Sequence, residues 1–102
     1  MILYNVTIIL DEEIHDNWLK WLKFEYLKEM MSTGHFISYS VLKVLDSPNE
    51  GITYCIQYIA SSIVKYNEYM QTSPNHLQSN VPAEFLNKFV FFSTLMEFIE
   101  AE

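Results

Sequence analysis

The 102-residue sequence contains no arginine, and all six of its basic residues are lysines. Arginine is the residue that grips phosphates, carboxylates and guanine edges through two parallel hydrogen bonds. Thirteen acidic residues bring the formal net charge to -7, and such a surface repels a polyanion. These two features exclude nucleic acids from the partners that we expect.

Cysteine, glycine and proline are also scarce, with one, two and three residues. The single cysteine, Cys55, cannot form an internal disulfide, which favours a reducing compartment and predicts a cytoplasmic protein. No apolar run approaches the ~18 residues of a membrane-spanning helix, so we expect no membrane partner. The apolar start lacks a basic leader and a small-residue cleavage site, and we interpret it as a strand.

Half of the residues are hydrophobic and 16% are aromatic, which is enough for a packed core and too much for a disordered chain. The length is close to the commonest domain size, so we predict one domain over residues 1–102.

The order of the local patterns predicts the fold. Apolar, β-rich runs at 2–10, 35–45, 52–60 and 88–99 predict four strands, and helical patterns at 12–31 and 62–86 predict two helices. Asp11 is placed to cap the first helix and Gly34 to end it, while Pro74 predicts a kinked or two-piece second helix and Pro82 a second break. The order βαββαβ predicts a ferredoxin-like α+β sandwich, with an antiparallel sheet in the order 4-1-3-2 and both helices on one face.

The alternation of side chains predicts that both faces of this sheet are apolar. In the first strand, Tyr4, Val6 and Ile8 share one face, whereas Asn5 and Thr7 lie on the other. Two helices cover only one face, and the second would expose more than the ~300–600 Å² of apolar patch that is usual on monomers. We therefore predict a homodimer through the helix-free face.

Five motifs resemble an uncharacterised bacterial family, domain of unknown function 4286. They are Tyr4-Asn5-Val6-Thr7, His15-Asp16-x-Trp18-Leu19-x-Trp21, Thr33-Gly34-x-Phe36, Gly51-x-Thr53-Tyr54-x-x-Gln57-Tyr58 and Phe89-Val90-x-Phe92. The resemblance extends from the first strand to the last and implies a dimeric α+β barrel, in which two ferredoxin-like sheets pack face to face. The chain departs from the family pattern at Tyr26-Leu27-Lys28, where relatives resemble His-Ile-Pro, and at Ser93, where we expect arginine. The family has no assigned activity, so the resemblance implies the fold and the dimer only.

Aromatic side chains are the first candidates for a ligand site. Trp18 and Trp21 lie on neighbouring sides of the predicted first helix, and with Tyr58 they could line a pocket for a small aromatic ligand. The alternative, which we favour, is that these rings are core or interface anchors.

Asn5 and His76 are a second candidate site. They resemble the asparagine on the first strand and the histidine on the second helical segment of haem-degrading and cofactor-independent quinol monooxygenases among the dimeric α+β barrels. The haem-degrading type also uses a tryptophan on the third strand, and 52–60 contains none. If Tyr4 and Val6 pack on the helices, Asn5 faces the partner subunit and cannot meet His76.

The sequence predicts no metal site and no cofactor. His15, with Asp16 beside it and Glu12 one turn earlier, is a single potential ligand group, whereas metal sites in helical proteins need several. Neither His35 nor His76 is paired at ligand spacing with another histidine or with Cys55.

No motif commits the chain to a reaction, so two functions stay open. The first is a non-enzymatic, homodimeric small-molecule-binding or interaction module. The alternative is a cofactor-independent monooxygenase or isomerase that acts on a small aromatic substrate between sheet and helices. A cavity with Asn5 or His76 beside Trp18 or Trp21 would favour the enzyme, and a filled cleft would favour the interaction module.

Overall fold

A computed structural model describes residues 1–48, 50–72 and 81–102. Its four strands are β1 (Ile2–Leu10), β2 (Ser38–Lys43), β3 (Ile52–Ala60) and β4 (Phe89–Glu97). They form one antiparallel sheet in the order β2-β3-β1-β4, which is the predicted order counted from the other edge. The two inner strands, β1 and β3, have the predicted bounds, whereas β2 and β4 are shorter than predicted.

The first helical segment is continuous but changes its winding along its length. A 3-10 turn (Glu12–Ile14) leads into α1 (His15–Trp21), a π-helical segment (Leu22–Tyr26) and α2 (Leu27–Ser32). The wider π turn keeps Leu22, Tyr26 and Leu27 buried on the side of the sheet.

The structure contradicts the prediction for the start of this segment and agrees with the prediction for its end. Asp11 makes no side-chain cap, so that prediction is wrong, and its backbone carbonyl accepts from the Ile14 amide instead (3.2 Å). Gly34 has the predicted left-handed conformation, with φ of 77°.

The second helical pattern begins with α3 (Ile63–Thr72) and includes a 3-10 turn at Ala83–Phe85. The predicted kink at Pro74 lies outside the described residues. Phe85 is buried, and its ring lies 5.8 Å from that of Trp21, so the turn closes one end of the core.

Both helical segments pack on the same face of the sheet, which confirms the predicted ferredoxin-like fold. Alternate residues of the two inner strands are buried there against the helices: Ile2, Val6, Ile8 and Leu10 of β1, and Tyr54, Ile56, Tyr58 and Ala60 of β3. Each large apolar side chain buried in this way contributes about 1.5–3 kcal/mol to stability. No helix among the described residues is both long and apolar enough to cross a membrane.

Candidate functional site

The predicted aromatic site residues all lie on the helix side of the sheet. Trp18 is fully buried, with its ring 5.7 Å from that of Tyr54. Trp21 packs 5.0 Å from Tyr26. Tyr58 is buried among other rings, 5.1 Å from Phe36. The three residues therefore sit in three different ring contacts.

Tyr58 belongs to a group of five neighbouring aromatic rings, which we call the ring cluster: Tyr4, Phe36, Tyr58, Tyr66 and Tyr69. Tyr4 lies at its centre, with ring-to-ring distances of 5.3 Å to Tyr66 and 5.9 Å to both Tyr58 and Tyr69. Phe36 meets Tyr69 at 5.0 Å. The described rings occupy this part of the cleft, which is the arrangement that favours an interaction module over an enzyme.

The hydroxyl groups of Tyr4, Tyr58 and Tyr69 remain protonated at neutral pH. Burial raises the pKa of Tyr58 and Tyr69 above its ordinary value, and the neighbouring tyrosines raise both further. The pKa of Tyr4 is raised as well. Burial is the largest cause, the nearby Tyr66 is the second, and a hydrogen bond with Ser93 opposes the shift. These phenols are therefore weak acids that do not form tyrosinate at neutral pH, unlike the tyrosine of an acid-base site.

Three polar atoms on the helix side have no hydrogen-bond partner among the described residues: Trp18 Nε1, His35 Nδ1 and Tyr58 Oη. The Tyr58 hydroxyl interacts with the Tyr26 hydroxyl but does not complete a hydrogen bond. Buried groups of this kind normally have hydrogen-bond partners. A hydrogen bond from a polar ligand would therefore contribute most to its binding free energy at these three atoms.

Asn5 lies on the opposite face of the sheet, as the alternation of β1 predicts. It is 9% exposed, and its Nδ2 donates to Thr7 Oγ1 (3.2 Å), which in turn lies 3.5 Å from Cys55 Sγ. The sheet separates Asn5 from Trp18, and His76 lies outside the described residues. A ligand-binding role for Asn5, Trp18, Trp21, Tyr58 and His76 stays a prediction.

At the start of α1, three side chains form a connected set of polar contacts that was not predicted from the sequence. His15 Nε2 lies 2.7 Å from Tyr54 Oη, and His15 Nδ1 lies 3.3 Å from Asp16 Oδ1. Burial, and then the charge of Asp16, raise the pKa of Tyr54, so its hydroxyl is protonated in this contact with His15 at neutral pH. The signal was present in part, since His15 precedes the buried Trp18 by one turn.

Nothing in residues 1–48, 50–72 and 81–102 gathers three or more His, Cys, Asp or Glu side chains into a potential metal site. A surface hollow of about 430 Å³ lies beside Trp21, lined by Asn17, Lys20, Phe24, Glu25, Pro82 and Glu84 as well. It does not include Asn5, Trp18 or Tyr58.

The sheet face that carries Asn5 has no helix on it among the described elements, and we call it the open face. It consists of alternate strand residues: Leu3, Asn5, Thr7 and Ile9 of β1; Ser38, Ser40 and Leu42 of β2; Thr53, Cys55, Gln57 and Ile59 of β3; and Val90, Phe92, Thr94 and Met96 of β4. None of them is an acidic or basic residue. Val90 and Phe92 are 62% and 56% exposed, and Leu42 and Met96 are exposed as well.

Comparisons with known proteins agree with this geometry. The model of the family "Domain of unknown function (DUF4286)" matches residues 1–99. No curated protein matches the chain.

Solved structures match the chain over nearly its whole length. Two are dimeric ferredoxin-like proteins from an uncultured marine organism. The first has a TM-score of 0.70 at 16% identity, covering 100% of this chain and 98% of that one. The second has a TM-score of 0.68 at 13% identity, covering 99% of this chain and 98% of that one. An antibiotic biosynthesis monooxygenase has 0.68 at 14% identity, covering 98% and 100%.

Proposed function

We propose that this chain, which belongs to the DUF4286 family, functions as a homodimer that assembles through the open face and serves as an interaction or small-molecule-binding module. The observation that carries the proposal is an uncharged, largely apolar sheet face on a chain whose net charge is -7. Two copies of this acidic chain that approach through an acidic surface would repel each other, and the open face brings no acidic side chain of its own into contact.

The size of the open face supports the same partner. Nine-residue strands are about 30 Å long, and four strands at about 4.8 Å spacing are about 19 Å wide. A surface of these dimensions is comparable with the ~800 Å² per subunit that a stable interface buries. Two of the similar solved structures are described as dimeric ferredoxin-like proteins, which also supports a dimer.

The experiment is a charge substitution in the open face. Phe92→Glu places a carboxylate of each subunit inside the interface, where it would lose its water without gaining a cationic partner, and we expect this variant to be monomeric at micromolar concentration. The matched control is Phe24→Glu, because Phe24 is 65% exposed on the first helical segment, away from the open face.

Light scattering coupled to size exclusion measures the result. Wild-type protein and Phe24→Glu should have twice the 12.1 kDa mass of one chain. Phe92→Glu should have the mass of a single chain. A wild-type mass near that of one chain would contradict the proposal.

The alternative function is a cofactor-independent monooxygenase or isomerase for a small aromatic substrate. It is favoured by the two buried polar atoms Trp18 Nε1 and Tyr58 Oη, which lack partners among the described residues and which a substrate could satisfy. It is disfavoured by the rings that pack around Tyr58. Oxygen consumption with a simple hydroquinone, lost in Trp18→Phe, would make it the better proposal.

A further inference from the structure

A row of neutral polar side chains crosses the open face from one edge of the sheet to the other. The strand register places Ser40 opposite Gln57, Gln57 opposite Asn5, and Asn5 opposite Thr94. We call these four residues the polar row. Of the two adjacent rows of the open face, one consists of Ser38, Ile59, Leu3 and Met96, and the other of Leu42, Cys55, Thr7 and Phe92, so each contains one hydroxyl group and no side-chain amide.

The centre of the polar row contains an unsatisfied acceptor. Asn5 is 9% exposed, and its Oδ1 is shielded from solvent without a hydrogen-bond partner among the described residues. Its Nδ2 already donates to Thr7. Asn5 and Gln57 lie on the two inner strands, so any partner that covers the open face removes this position furthest from water. An amide oxygen left unpaired there destabilises the complex, and a donor from the partner would remove that cost.

We propose that the two-fold axis of the homodimer passes through the centre of the polar row, so that Asn5 Oδ1 accepts a hydrogen bond from the side-chain amide of Asn5 or Gln57 of the partner subunit. This inference rests on the proposed homodimer. In an interface between identical surfaces, the residues nearest the axis meet their own counterparts.

The polar row therefore sets the register of the dimer. With the axis at its centre, amides meet amides. With the axis displaced along the strands by half the spacing between rows, the same amides face the row of Leu3 and Met96, or the row of Leu42 and Phe92, and lose their amide partners. A single buried asparagine fixes the register of coiled coils in the same way.

The first test is the dissociation constant of the dimer, measured by sedimentation on dilution. We expect Asn5→Ala to weaken dimerisation at least tenfold. The matched control is Asn67→Ala, since Asn67 is exposed on α3, and we expect its dissociation constant to equal that of wild type. Introducing Asn5→Ala into the monomeric Phe92→Glu chain should lower the thermal midpoint only by the loss of the single hydrogen bond to Thr7, which separates a role between subunits from a role in folding.

The second test locates the axis directly. In a dimer of one isotopically labelled and one unlabelled chain, isotope-filtered nuclear Overhauser spectra should show contacts from the Asn5 amide protons to Asn5 or Gln57 of the partner subunit. Contacts to Leu3 or Phe92 of the partner subunit would place the axis elsewhere and overturn the inference.

The outcomes separate the two proposals. If Asn5→Ala dimerises as tightly as wild type while Phe92→Glu is monomeric, the homodimer stands and the polar row does not determine its register. If wild-type protein is monomeric at every concentration, both proposals are wrong.

Discussion

At the scale of single residues, the buried tyrosines differ in what their hydroxyl groups meet. Tyr69 donates to Met30 Sδ (3.6 Å). Tyr58 Oη is buried without completing a hydrogen bond. A hydroxyl of this last kind has lost its water without gaining a protein partner, so its ring stabilises the fold while its oxygen does not.

Tyr58→Phe should therefore change the free energy of unfolding by no more than about 0.5 kcal/mol, or raise it slightly, because the ring contacts remain. Tyr69→Phe, the matched control, should lower it by about 0.5–1.5 kcal/mol, because it removes the hydrogen bond to Met30 Sδ. Urea unfolding of the two variants measures the difference. A loss above about 1.5 kcal/mol in Tyr58→Phe would mean that the Tyr58 hydroxyl has a strong partner in the folded protein.

At the scale of elements, the entry to β3 depends on a close backbone approach at Gly51. Its φ is 91°, and a Cβ added there would lie 2.5 Å from the carbonyl oxygen of Leu10. Leu10 pairs with Ile52 in the β1–β3 ladder, so the carbonyl cannot move away without breaking that pairing. Gly34 also has a positive φ, 77°, but nothing lies within 4 Å of its added Cβ.

Gly51→Ala should lower the free energy of unfolding by about 1–3 kcal/mol more than Gly34→Ala does. Both substitutions impose a left-handed conformation on alanine, at about 1–2 kcal/mol, but only Gly51→Ala adds a steric collision. Thermal or urea unfolding of both variants provides the comparison. Equal losses in the two variants would show that the backbone at Leu10 yields to the added methyl group.

Sequence patterns predicted the inner strands better than the helix ends. β1 and β3 are paired on both sides, so their alternation is enforced along their whole length and their bounds match. Asp11 makes no side-chain cap, and its backbone amide instead donates to Lys88 of the chain entering β4 (2.9 Å), a contact that no local pattern contains. The π-helical segment was also missed, since one wide turn barely alters a helical period.

The candidate site shows the same difference between features that a local pattern predicts and features that depend on tertiary contacts. Strand alternation put Asn5 on the face opposite Tyr4 and Val6, and the structure shows that Tyr4 and Val6 are the residues that pack on the helix side. The contact between His15 and Tyr54 depends on how the start of α1 lies over β3, which is a tertiary feature. The polar row likewise depends on the register of four strands, and periodicity within one strand cannot supply it.

At the scale of the whole molecule, the core encloses several neutral phenols that must stay neutral. Burial is the largest cause that raises the pKa of Tyr26, Tyr58 and Tyr69, and the neighbouring tyrosines raise each of them further. An unfolded tyrosine ionises near pH 10. Below that pH these tyrosines are protonated in both states and do not make stability depend on pH.

Above pH 10 the unfolded chain loses these protons while the folded chain keeps them, so the unfolded state binds fewer protons and the free energy of unfolding falls as pH rises. Each tyrosine contributes a slope of about 1.4 kcal/mol per pH unit, or about 4 kcal/mol for three. We therefore expect cooperative alkaline unfolding, with the rise in tyrosinate absorbance at 295 nm coinciding with the loss of circular dichroism. Tyr69→Phe should reduce the slope by about a third. If these tyrosines instead ionise near pH 10 while the circular dichroism is unchanged, the ring cluster is open to water.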